Sequence, residues 1–232
     1  MYYKLYLLDI IYNFVLFTQN QLAMSSATSK TALSPFIKVV VVLLIPVTLY
    51  FLVVHAFPRL NYSQENYGDY YWNRAPWLLI HTVCGIFATL SGPFQFIPSI
   101  RNKHWQLHRN LGKMYLISVD IAGISAIYLA VTSAITPWYS FGLVAGTCIW
   151  LLTGTMAYVY IKKKNVKAHQ QMMIRNYVVT FFFIIFFGMY DLLVATGTDP
   201  YNTTMLSILP WACLLIPLSI TEFLLRKKTT KR

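Results

Sequence analysis

Charged residues are scarce in this chain of 232 residues, and acidic residues are the scarcest. Only 11% of the residues are charged, and seven Asp and Glu stand against 19 Lys and Arg, which gives a net charge of +12. A soluble domain usually carries about a quarter charged residues. Here 57% of the residues are hydrophobic and fall in long blocks. The composition therefore excludes a soluble enzyme, a disordered chain and a disulfide-stapled secreted module.

Cysteine is also rare. The three cysteines, Cys84, Cys148 and Cys213, all lie inside apolar blocks. None belongs to a C-x-x-C or C-x-x-C-H motif, which excludes thiolate zinc sites and covalent attachment of a c-type haem. We expect three reduced thiols that are buried as small hydrophobic side chains.

Six apolar blocks are long enough to cross a bilayer as helices. Apart from a closed barrel, only a helix satisfies all of its backbone hydrogen bonds inside lipid. The sequence therefore predicts an all-α polytopic membrane protein, a six-helix transmembrane bundle over residues 36–225. Residues 1–35 are expected to form an interfacial or disordered extension, and residues 226–232 a basic tail. The blocks are Phe36–Phe57, Trp77–Ile97, Tyr115–Ile135, Tyr139–Ile161, Tyr177–Thr196 and Thr203–Leu225.

The basic residues predict the orientation of these spans. With six spans both termini lie on one side, and that side receives all of the 19 Lys and Arg except Arg59 and Arg74. An excess of Lys and Arg marks the cytoplasmic face. We therefore predict a multi-pass protein of the cell (inner) membrane with both termini in the cytoplasm. Because the basic residues cluster between apolar blocks, they indicate a lipid bilayer as partner and no nucleic acid.

Histidines on the cytoplasmic side suggest a cofactor site. If the third and fifth helices extend back beyond their apolar blocks, His108 and His169 reach nearly the same depth from two helices of the same direction. A b-type haem needs two neutral imidazoles at one depth on opposite faces of the ring. We therefore predict that His108 and His169 bind haem b iron. Arg109 and Arg175 are among the cations available to the haem propionates.

A second histidine pair, His55 and His81, lies toward the outer side and predicts an outer haem. His81 is followed at helical spacing by Gly85, Ala88 and Gly92, small residues on which a flat ring could lie. Three alternatives stay open. Interfacial histidines can bind only water or headgroups, a small-residue face can serve helix packing, and His104 with His108 and His169 could chelate a metal ion.

Acidic residues inside the spans are candidates for function because charge is costly in lipid. Asp120 and Asp191 are candidates for a polar path, with Asp120 expected to meet a cation or hydroxyl within the bundle. Glu222 stands four residues before Arg226, a spacing typical of a local ion pair on one helix.

Three strings of residues resemble a known family over about Ile37 to Leu225. The family is DUF2306, bacterial integral membrane proteins known only as a domain of unknown function. The resemblance implies a multi-helix membrane protein with its signature histidines at the cytoplasmic side, and it implies no reaction. The strings are His81-x-x-x-Gly85 followed by Leu90-Ser91-Gly92-Pro93-Phe94-Gln95-Phe96; Arg101 with His108-Arg109-x-x-Gly112-Lys113-x-Tyr115; and Lys167-Ala168-His169-x-x-Met172-Met173-Ile174-Arg175-Asn176-Tyr177.

The layout is also similar to that of diheme b-type membrane cytochromes, although the fourth span contains no histidine. The leading hypothesis is a haem b-binding membrane electron-transfer protein, or a reductase subunit with a redox partner. One alternative is a non-haem transporter that uses Asp120, Asp191 and Tyr190. The other is a structural or assembly partner of a membrane complex, whose basic loops bind anionic lipid.

The orientation predicts the outcome of reporter fusions. A fluorescent protein fused after Arg232 should fold and fluoresce in the cytoplasm. Alkaline phosphatase inserted between Gly197 and Asn202 should be active, because that link is expected outside. The opposite pattern at both positions would show that the orientation is reversed.

Overall fold

The computed structural model describes the backbone of residues 44–230 and the side chains of residues 44–227. The chain divides into two compact units, Met1–His55 and Ala56–Arg232. The expected extension, residues 1–35, and the beginning of the first expected span lie outside the described residues.

In the first unit, residues 44–51 are α-helical and are called α1. The π-helical turn Leu52–Ala56 follows and carries the chain into the second unit. The ring of His55 contacts two aromatic neighbours on its own unit, Tyr50 edge-on at 5.9 Å and Phe51 stacked at 6.1 Å between ring centroids. The described part of the first expected span is therefore helical.

The described part of the second unit is made of helices. After the short 3-10 helix Phe57–Leu60 come eight α-helices: α2 Gln64–Trp72, α3 Ala75–Phe96, α4 Pro98–Lys103, α5 Trp105–Val131, α6 Pro137–Lys162, α7 Val166–Thr180, α8 Phe182–Ala195 and α9 Thr203–Thr230. Within this unit α3 packs along α5, α5 along α6, and α6 along α7 and α9.

Five helical segments of the second unit have the length and apolar composition of membrane spans, with α7 and α8 forming one of them. They coincide with the second to sixth expected blocks, so the polytopic helical membrane fold is confirmed. The segment Leu44–Leu60 counts as a sixth span only when it is taken together with α2. The spans are Ala75–Phe96, Trp105–Val131, Pro137–Lys162, Val166–Ala195 and Thr203–Lys227.

Two helices begin well before their apolar blocks. Helix α5 begins at Trp105 and α7 at Val166, about ten residues ahead of Tyr115 and Tyr177. Asn165 caps α7 because its side chain accepts a hydrogen bond from the backbone N–H of Ala168, at 3.1 Å. Such a cap satisfies one of the free donors at a helix start. The backward extension assumed for the histidines is therefore confirmed.

The three cysteines are free thiols, as expected, but they are not all buried. Cys213 is buried and Cys84 is half-buried, whereas Cys148 is exposed on α6. The expectation of three buried thiols was therefore wrong for Cys148. It lies on a side of α6 that no described residue covers, where lipid can solvate an apolar thiol.

A polar network joins three helices in the core of the second unit. The Tyr115 hydroxyl of α5 donates to Asn176 Oδ1 of α7 at 2.6 Å, and the Asn176 amide donates to the carbonyl of Trp150 on α6, also at 2.6 Å. Asn176 and Tyr115 have no exposed surface. A Cβ at Gly154 would lie 3.2 Å from the Asn176 nitrogen, so a glycine there lets the amide reach the α6 backbone.

Thr180 and Thr153 complete this network. The Trp150 indole N–H donates to the Thr180 hydroxyl at 3.0 Å, and the Asn176 amide also donates to the Thr153 hydroxyl at 3.0 Å. Each polar atom of the Asn176 side chain thus has a partner. Satisfied interhelical hydrogen bonds of this kind fix the packing of membrane helices, where hydrophobicity alone cannot.

Replacing Asn176 with Ala should therefore lower the free energy of unfolding by about 2–3 kcal/mol, because the Tyr115 hydroxyl, the Trp150 carbonyl and the Thr153 hydroxyl each lose a buried hydrogen-bond partner. Unfolding in mixed detergent micelles measures this loss. Asn110→Ala removes an exposed amide from α5 and should change stability by about 0.5 kcal/mol or less. Equal effects of the two substitutions would contradict the structural role given to Asn176.

Candidate functional site

The candidate site lies at one end of the second unit, where exposed cations collect. We call it the basic end; it carries Arg101, Lys103, Arg109, Lys113 and the lysines of residues 162–167. Helices α5 and α7 both begin there. His108 and His169 are each the fourth residue of their helix. The two imidazoles therefore enter the bundle at matching helix positions.

The neighbouring helix α6 sets the tautomer of the neutral His169 ring. Its Nδ1 lies 2.8 Å from the backbone carbonyl of Ala157 on α6. A carbonyl can only accept, so Nδ1 carries the proton and Nε2 of the neutral ring keeps its lone pair. Metal-binding histidines are commonly held in this way, with the second ring N–H bonded to a backbone carbonyl.

His108 is placed against a buried side chain of α3, Gln95. Both ends of the Gln95 amide are paired when its nitrogen donates to His108 Nδ1 and to the His108 carbonyl, and its oxygen accepts from Gly112 N, each at 3.2 Å. Gln95 is 8% exposed. The orientation of this amide thus decides whether Nδ1 of the His108 ring donates or accepts a hydrogen bond.

The two predicted iron ligands lie near each other at the basic end. His108 and His169 are close enough for their charges to interact, and the charge of Arg101 also acts on His108. His104 is exposed beside them. Within residues 44–227 no group of three or more His, Cys, Asp or Glu side chains could hold a metal ion. A chelate of His104, His108 and His169 is therefore not formed there.

Gly92, which was expected to leave room for a flat ring, is covered by another side chain, and so is Gly112, four residues after His108. A Cβ at Gly92 would lie 2.0 Å from the ring of Tyr177, and a Cβ at Gly112 would lie 3.0 Å from Gln95 Oε1. Tyr177 also donates from its hydroxyl to the Thr89 carbonyl at 3.1 Å. The expectation that Gly92 offers a free flat face was therefore wrong, because an aromatic ring of α7 packs there. Around Gly85 no described atom lies within 4 Å.

The two arginines proposed for the propionates have different surroundings. Arg109 is exposed, with its guanidinium 5.4 Å from the ring centre of Trp105. Arg175 is half-buried and donates to Glu222 of α9 through Nε and Nη2, the second bond at 3.0 Å. Its Nη1 is buried and has no hydrogen-bond partner among the described residues. Arg175 thus retains one buried N–H donor that could form a hydrogen bond with a carboxylate.

The principal partner of Glu222 is Arg175. The charge of Arg226, the expected partner on the same helix, also acts on this carboxylate, so Arg175 is an additional partner that the spacing did not indicate. An arginine fork can hold both carboxylate oxygens, a geometry that one lysine or a more distant arginine does not offer. The ion pair joins α7 to α9 and so holds the span that carries His169.

The outer histidines lie in different units. In the second unit His81 of α3 faces the Ala122 carbonyl of α5, with Nδ1 at 3.0 Å, and its ring meets Phe183 edge-on at 5.6 Å. Its Nε2 therefore keeps a lone pair, as in His169. His55 belongs to the first unit, so the outer haem pair stays a prediction.

The candidates for a polar path do not line the interior of the second unit together. Asp120 lies near the middle of α5 but is exposed, so the expected partner within the bundle is wrong for this unit. Helix α5 turns its buried face, with Val119 and Ala122, toward its neighbours. Asp191 and Tyr190 are half-buried near the end of α8, where the Tyr190 hydroxyl donates to the Pro200 carbonyl at 3.4 Å.

Sequence reasoning did not single out Gln95 or Asn176 as functional or structural residues. Both stand in the strings that carry the family resemblance, but their partners, His108 and Tyr115, are distant in sequence. Only helix packing shows these contacts, because polar residues at helix ends are common and their spacing indicates no partner.

Comparison with known proteins agrees with this architecture. A model of the family described as "Predicted membrane protein (DUF2306)" matches residues 78–225, well over half of the chain. The chain belongs to the DUF2306 family. No curated protein and no solved structure matches it. For this DUF2306 protein the match includes Gln95, the ion pair of Arg175 with Glu222, and the two predicted iron ligands, His108 and His169.

The ion pair predicts a pattern of stability effects. Arg175→Gln and Glu222→Gln should show a coupling free energy of about 1 kcal/mol in a double-mutant cycle, a modest value because the Glu222 side chain is 38% exposed. Arg226→Gln should couple to Glu222→Gln more weakly. Unfolding in mixed micelles measures both cycles, and stronger coupling to Arg226 would show that the local pair dominates.

Proposed function

We propose that this protein is a haem b-binding membrane electron-transfer protein, or the electron-carrying subunit of a membrane reductase. His108 and His169 would hold the haem iron. The observation that carries the proposal is that these two imidazoles stand at the fourth positions of α5 and α7 and lie near enough at the basic end for their charges to interact.

The hydrogen bond made by the His169 ring is compatible with iron binding. The bond from Nδ1 to the Ala157 carbonyl holds the ring and leaves the Nε2 lone pair available. The partner of His108 is an amide, which can accept from Nδ1 when its oxygen faces the ring. Both histidines can thus present Nε2, the nitrogen through which imidazole commonly binds haem iron.

The charges of the basic end suit a dianionic cofactor. Arg101 and Arg109 are exposed at the start of α5 or just before it, and Arg175 keeps a buried Nη1 donor. These cations can hold carboxylates of the propionate type. When bound, a b-type haem supplies reversible one-electron transfer. The polypeptide would hold the ring between α5 and α7 and exclude water from its membrane-facing side.

The same proposal places the protein in its cellular setting. The basic end faces the cytoplasm of a cell (inner) membrane, with both termini on that side, because Lys and Arg accumulate there. A redox partner or a further subunit of a membrane complex would approach the basic end.

The test is a visible absorption spectrum of the detergent-purified protein from haem-replete cells. We expect a Soret band, and an α-band that appears on reduction. His108→Ala and His169→Ala should each abolish the bound-haem spectrum. His104→Ala is the matched control, because His104 lies exposed just before α5, and it should leave the spectrum unchanged.

Thermal unfolding of the same samples separates loss of a ligand from loss of the fold. For His169→Gly, added imidazole should restore part of the Soret band by occupying the vacated position. Colourless wild-type protein that is folded, and that takes up no haem on titration, would overturn the proposal.

A further inference from the structure

Gln95 occupies a position from which it can act on His108. It lies in the last turn of α3, is 8% exposed, and faces the first turns of α5. Its amide reaches three groups of α5: His108 Nδ1, the His108 carbonyl and the backbone N–H of Gly112. A Cβ at Gly112 would lie 3.0 Å from a terminal atom of the Gln95 amide. A glycine at this position therefore allows the amide its close approach.

The two orientations of the Gln95 amide have opposite effects on His108. With the nitrogen toward the ring, Nδ1 must accept, so the proton of the neutral imidazole is on Nε2. With the oxygen toward the ring, Nδ1 must donate, and Nε2 keeps its lone pair. Only the second state of the ring can bind a metal ion through Nε2.

Hydrogen bonding favours the first orientation. The nitrogen then also donates to the His108 carbonyl, and the oxygen accepts from Gly112 N, both at 3.2 Å. Rotation would place the amide oxygen against a carbonyl and the amide nitrogen against an N–H. A buried polar group without a suitable partner is destabilising. The amide is therefore expected to hold the Nε2–H tautomer in the protein without a ligand.

We propose that Gln95 is a positioning residue that sets the tautomer of His108, and that its amide must rotate before His108 can bind iron. The second part rests on the proposed haem function, whereas the first part does not. The two ligands thus differ in the partner of Nδ1. The partner of His169 is a carbonyl, which can only accept, so Nε2 keeps its lone pair. The partner of His108 is an amide, which can donate to Nδ1 or accept from it.

The tautomer is read directly by nitrogen NMR of histidine-labelled protein in detergent without haem, with the His108 signals assigned by their loss in His108→Ala. In the wild type we expect Nδ1 unprotonated and Nε2 protonated. Gln95→Glu replaces the donor with an acceptor, and it should move the proton to Nδ1. Gln95→Met keeps the size of the side chain but offers no N–H, and it should give a mixture of tautomers.

Ser91→Ala is the matched control. Ser91 stands one turn before Gln95 on α3, is 6% exposed, and its hydroxyl has no partner among the described residues. The His108 signals should be unchanged in this variant. If Gln95→Glu does not fold, the His108 tautomer in Gln95→Met still tests the proposal. A wild type with Nδ1 protonated, or a tautomer that neither variant changes, would overturn the proposal.

Haem titration of the same variants tests the second part. Because the amide no longer has to rotate, Gln95→Glu should bind haem about tenfold more tightly than the wild type, within the range typical of changes to groups that support a metal ligand. Ser91→Ala should match the wild type. Equal haem affinities in the wild type and Gln95→Glu would overturn the role in iron binding. A tautomer shift without haem binding to any variant would overturn the proposed function and leave tautomer control standing.

Discussion

The second unit depends on the pairing of one buried amide. Asn176 has no exposed surface, and each of its polar atoms has a partner on α5 or α6. In lipid an unpaired amide is expensive, and apolar contacts alone do not choose one arrangement of helices over another. The bonds of Asn176 therefore fix the register of α5, α6 and α7 against each other. The same helices α5 and α7 carry His108 and His169.

Helix α7 contacts three other helices of this unit through named side chains. His169 reaches the backbone of α6, Arg175 reaches Glu222 on α9, and Tyr177 covers Gly92 on α3. His169, Arg175, Asn176 and Tyr177 of the family string on α7 therefore each have a structural explanation. The contacts of His169 involve Nδ1, and the haem proposal assigns a role to Nε2.

The sequence was sufficient for the second to sixth spans and for the backward extension of the helices that carry His108 and His169. Long apolar blocks need no tertiary information to be recognised, and His108 and His169 stand at similar distances before their blocks. It was insufficient for partners. Glu222 pairs with Arg175, 47 residues away, because helix crossing brings α7 to α9. Spacing along one helix suggested Arg226 instead. The same reason hid the contact of Gln95 with His108.

What the amino-acid sequence by itself determined is the class of molecule: an all-helical membrane protein with its cations at one end. Hydrophobicity and charge act through the solvent, and they can be read one segment at a time. Only the tertiary structure decided that Tyr177 fills the space at Gly92, that Asp120 faces outward, and that an amide faces His108. These are contacts between distant segments, and packing alone selects them from many that the same composition would allow.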